Sequence, residues 1–141
     1  MSLARLASVL LMSLSAVCLA AESLLDIARW PDLVAQAKDR GIDYPAVVQR
    51  AERGDTKALH TIFSVTPYTD GSGATSHCAV LRRLLEQLGD LRFSKTLRSE
   101  PGALRDRVTQ AIDFDFGRPW RKAFPITYGF GSHDTSLLRG D

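Results

Sequence analysis

Ala74-Thr75-Ser76-His77-Cys78-Ala79-Val80-Leu81-Arg82-Arg83-Leu84-Leu85-Glu86-Gln87-Leu88 is the stretch that decides the fold. Ala74, Cys78, Leu81, Leu85 and Leu88 recur at spacings of four, three, four and three. That is the period of one face of an α-helix, so the stretch is an amphipathic helix with a single apolar stripe. Gly89 stops it, and Asp90 is placed to cap a short helix through Leu97.

Working outward, almost every punctuation mark is a helix signal. Upstream, Glu22–Arg29 is a short amphipathic segment, and Trp30-Pro31 breaks it. Pro31 suits the first position of a second helix that runs to Arg40 and ends at Gly41. Asp43 caps a third helix, Gly54 ends it, and Asp55 caps a fourth through Phe63 or Ser64. Downstream, Pro101 opens a last helix with Leu104, Val108, Ala111 and Ile112 apolar. No Val/Ile/Thr alternation argues for a sheet, and a lone strand at Ile126–Phe130 would lack a partner. The expected class is therefore all-α, with stacked antiparallel helix hairpins over residues 21–116 and an irregular aromatic capping segment over 117–141.

The N-terminus carries an address. Met1–Arg5 is a short positive start, Leu6–Val17 an apolar run, and Cys18-Leu19-Ala20-Ala21 a small-residue exit. Together they read as a cleaved export signal over residues 1–20, too short to span a bilayer as a helix. Ser15-Ala16-Val17-Cys18 departs from a lipoprotein box at both Ser15 and Val17. The expectation is a soluble periplasmic or secreted protein, not one lipid-anchored through Cys18. Roughly 120 residues remain after cleavage, one compact domain. Hydrophobic residues make up 45% and charged residues 24% of the chain, whose formal net charge is +2. That near balance argues against nucleic acid as the main partner and against docking on anionic lipid. Cys78 is the one cysteine outside the signal, so the core must hold without an internal disulfide.

The joint Ala51-Glu52-Arg53-Gly54-Asp55-Thr56-Lys57-Ala58-Leu59 resembles the turn of helical-repeat proteins of the HEAT or Sel1 kind. Gly ends one helix there, Asp caps the next, and Ala-Leu packs at the crossing. Gly89-Asp90 repeats the joint 35 residues on, but with Phe93-Ser94 where Ala58-Leu59 stand. The stretch from Ala51 to Val108 is also similar to small bacterial proteins with a glycine-containing loop before a His- or Cys-containing helix. That resemblance implies no activity.

His77-Cys78 is the first candidate for chemistry. A thiol near a helix N-terminus gains thiolate character. Neighbours on a helix point about 100° apart, so His77 is not placed to serve Cys78 as base; that base would be His60 or His133. Against this, Cys78 sits in the apolar stripe, where a cysteine is ordinarily a core residue. A metal would draw on His60, His77, Cys78, His133, Asp70 and Asp134, but no His-x-x-x-His or Cys-x-x-Cys pair occurs. No metal or cofactor is expected. Asp113 and Asp115 read as a solvated helix end.

Two segments read as recognition surfaces. Thr66–Gly73, rich in small polar residues, reads as the longest interior loop. It lies before the free amides of a helix N-terminus, with Ser72 or Thr75 as cap, and Tyr68, Asp70 and Ser72 are its contact candidates. Trp120, Phe124 and Tyr128 have the composition of interface anchors, or of a seal over the end of the helices. The expected function is an exported helical module that binds another protein without catalysis. In size, address and class the chain is similar to bacterial immunity proteins. The alternative is a small exported thiol enzyme or redox protein using Cys78 with His60 or His77.

Overall fold

The computed structural model describes residues 22–133. Residues 1–21, with the expected export signal and Cys18, and residues 134–141 lie outside the described residues. Eight α-helices and one 3-10 turn, with no strand, make up the described residues, so the all-α class holds. They are α1 (Leu24–Ala28), α2 (Pro31–Lys38), α3 (Tyr44–Glu52), α4 (Thr56–Val65), a 3-10 turn at Thr66–Tyr68, α5 (Gly71–Leu88), α6 (Asp90–Leu97), α7 (Gly102–Phe116) and α8 (Pro125–Tyr128). No described helix is long and apolar enough to cross a membrane.

Local chemistry sets the boundaries much as the sequence indicates. Pro31 occupies the first turn of α2. Asp43 accepts from the Ala46 amide at 3.3 Å and Asp55 from the Ala58 amide at 3.1 Å, each satisfying an orphan donor of its helix. Gly54 and Gly89 end α3 and α5 with φ of +87° and +80°, a region that L side chains avoid.

The long helix α5 is the centre of the molecule. It packs most extensively against α7, and also against α1, α2, α3 and α6. Because neighbours lie on both sides, the expected stripe is only one edge of its buried face. Cys78, Leu81 and Leu85 are buried as the stripe requires, and so is a second row of Gly73, His77, Val80 and Leu84. Elsewhere α3 pairs with α4, and Phe63 of α4 meets Phe93 of α6 edge-on at 5.1 Å between ring centroids.

Three expectations need correction. Thr66–Gly73 is not an interior loop, because the 3-10 turn and α5, which starts three residues earlier than its stripe, absorb most of it. Asp90 does not cap α6. Gly89 takes the cap position, and the Asp90 carboxylate turns to accept from the Ile126 and Thr127 amides, each at 2.8 Å, at the start of α8. The segment expected to be irregular therefore holds one helical turn, Pro125–Tyr128, fixed from outside.

Candidate functional site

The fold separates the residues proposed for thiol chemistry. Cys78 is 9% exposed. Burial, with the nearby Asp115 charge adding to it, pushes its thiol up to about 11, so it stays protonated at neutral pH. His77 is buried among α3, α5 and the 3-10 turn. Its Nδ1 lies 2.6 Å from the Tyr44 hydroxyl and its Nε2 2.9 Å from the Thr66 hydroxyl. A hydroxyl can give or take a proton, so a neutral imidazole with one N–H and one lone pair is satisfied in either tautomer. Burial lowers its pKa to about 3, and burial likewise raises that of Tyr44 well above its ordinary value. His77 is therefore a neutral core residue.

His60 is engaged elsewhere. Its Nδ1 lies 2.5 Å from a Glu100 oxygen, on the side of α4 that faces α6. Among the described residues, no group of three His, Cys, Asp or Glu side chains could hold a metal.

The tail aromatics turn inward. Trp120 is 2% exposed and stacks on Phe116 at 5.7 Å. Phe124 lies at 6.1 Å from Phe116, and Tyr128 meets Trp120 edge-on at 5.0 Å. The indole N–H of Trp120 donates to Asp113 Oδ1 at 2.6 Å, and His133 Nδ1 lies 2.8 Å from Asp113 Oδ2. Of the two readings of this cluster, the seal fits its geometry. Trp120 as a free surface anchor is corrected by its burial, and Asp113 is not a solvated helix end. Asp115, for its part, pairs with Arg82.

Tyr68, Asp70 and Ser72 do share a surface, and the sequence did not indicate what holds it. Asp32, Gln36 and Arg40 stand four residues apart along one face of α2 and its C-terminal extension. The chain from Tyr68 to Ser72 runs antiparallel beside them. The Arg40 guanidinium lies 3.4 Å over the Tyr68 ring. The Gln36 amide donates to the Asp70 carboxylate at 2.6 Å and accepts from the Asp70 backbone N–H at 3.2 Å. Ser72 donates to Asp32 and accepts from the Trp30 indole N–H, the latter at 3.0 Å.

Gln36 thus ties down Asp70, the N-cap residue of α5, which makes no side-chain cap of its own. It lies so close over Gly73 that a Cβ there would run into its amide. The result is a ledge with two large exposed aromatics, Trp30 at 46% and Tyr68 at 52%, on a hydrogen-bonded footing. Trp30, Asp32, Gln36 and Arg40 were missed because a polar face on a short helix reads as ordinary solvent exposure. The chain matches no protein-family model, no curated protein and no solved structure.

Proposed function

We propose that the chain is an exported helical module that works by binding another protein, in the manner of periplasmic immunity proteins, without a catalytic step of its own. The observation that carries this reading is the ledge along α2 and the start of α5. Trp and Tyr are the side chains that most often anchor protein interfaces. Here each exposed ring already has its neighbours: Trp30 is tied to Ser72, and Tyr68 lies under Arg40. Holding such anchors in place before contact lowers the ordering cost of binding. The competing thiol-enzyme reading has less support, since Cys78 is buried and protonated and both nitrogens of His77 are occupied.

The test is capture from periplasmic extract with tagged protein, run in parallel with a W30A/Y68A variant. One stoichiometric partner is expected on the wild type, held at least tenfold more weakly by the variant. No partner, or equal capture by both, overturns the reading. Fractionation tests the address separately, because uncut chain resident in the cytosol contradicts export.

A further inference from the structure

A groove of about 400 Å³ opens between α4 and α6, lined by none of the residues that form the ledge. Ala51, Leu59 and Leu88 form an apolar patch in it, beside the hydroxyl-bearing Thr56, Thr96 and Ser99. Arg92 and Lys95 line it from α6, and neither has an ion-pair partner among the described residues. The Arg92 guanidinium reaches across to the α3–α4 turn, where a Cβ on Gly54 would sit 3.3 Å from its Nη1. From α4, His60 also lines the groove. Glu100 holds it through Nδ1, so Nε2 is left without a partner among the described residues. Asp55, the carboxylate that lines the groove, is engaged at the Ala58 amide.

Arg92 and Lys95 are set against Asp55 at the lining, and Glu100 stands behind His60, so the groove carries no large positive excess. That balance suits a monoanion better than a dianionic phosphate. A guanidinium matches the two oxygens of a carboxylate, and the patch of Leu59 and Leu88 suits a short hydrocarbon chain. We propose that this groove is a binding site for a small organic monocarboxylate. Arg92 and Lys95 hold its head, Leu59 and Leu88 receive its chain, and His60 Nε2 is the remaining polar contact. This proposal does not depend on a protein partner at the ledge.

The probe is hexanoate, titrated into the full-length mature protein and followed by backbone amide shifts over residues 54–60 and 88–96. Saturable shifts confined to those stretches are expected. Hexanol, with the same chain length and no charge, is expected to bind at least tenfold more weakly. The R92A/K95A variant is expected to lose at least tenfold in hexanoate affinity with its circular dichroism unchanged, since both side chains are exposed. Absence of shifts in the groove, equal binding of hexanol, or undiminished binding by a folded R92A/K95A variant each overturns the proposal. Should that variant fail to fold, the comparison of hexanoate with hexanol on the wild type decides.

Discussion

Trp120 and His133 grip one carboxylate from its two oxygens: Asp113 Oδ1 takes the indole N–H at 2.6 Å, and Oδ2 faces the imidazole Nδ1 at 2.8 Å. The His133 ring also stacks on Tyr128 at 3.5 Å, and its Nε2 lies 2.6 Å from the Tyr128 carbonyl. A single acidic residue of α7 therefore organises the aromatic closure.

Asp113→Ala is expected to leave the buried indole N–H without an acceptor and to cost about 2–4 kcal/mol. Urea unfolding followed by circular dichroism measures it. Trp120 fluorescence, read in a W30F background, should shift toward the solvated value. A loss below about 0.5 kcal/mol would mean that the carboxylate does not organise the segment.

Acid should weaken the fold through His77. Its folded pKa of about 3 lies below the ordinary 6.5. Above pH 6.5 both folded and unfolded forms are neutral there and stability is unaffected. Below it the unfolded chain takes up a proton that the folded chain refuses, so stability falls until pH 3. At 1.36 kcal/mol per unit, the loss reaches about 2 kcal/mol at pH 5. His77→Gln should flatten that part of the stability–pH curve, whatever it costs at neutral pH. An unchanged slope would show that other groups carry the acid response.

The thiol of Cys78 should react slowly with iodoacetamide at pH 7, because it is both buried and protonated. Its labelling should accelerate in parallel with global unfolding as urea rises. Rapid modification of the folded protein would restore the thiol-enzyme reading.

Gln36 and Gly73 should couple in a double-mutant cycle. Gln36→Ala is expected to cost about 0.5–1.5 kcal/mol in lost hydrogen bonds to Asp70. Gly73→Ala displaces the same amide, so Q36A/G73A should cost less than the two single changes together. Strict additivity would show that the amide does not cover residue 73 in solution.

The helices were legible because their signals are local. Pro31, Asp43 and Asp55 act within one turn of themselves, and the stripe from Ala74 to Leu88 repeats within one helix. What the sequence hid is non-local. His77 is buried because α5 has neighbours on both sides, and a stripe counted from apolar residues alone omits a histidine. The Gly89-Asp90 joint looked like Gly54-Asp55, yet the glycine took the cap and freed the carboxylate for amides 36 and 37 residues away. At the candidate site, Tyr68, Asp70 and Ser72 were found from composition. The four side chains of α2 and its flanks that seat them carry no signature except polarity.

The reach of Asp90 has a temporal meaning. A four-residue helix cannot nucleate unaided, and α8 borrows its opening hydrogen bonds from a residue that comes into range only once α6 has docked. Amide protection at Ile126 and Thr127 is therefore expected to follow the docking of α6 on refolding and to be lost with it, so that the closing stretch seals after the helix it leans on.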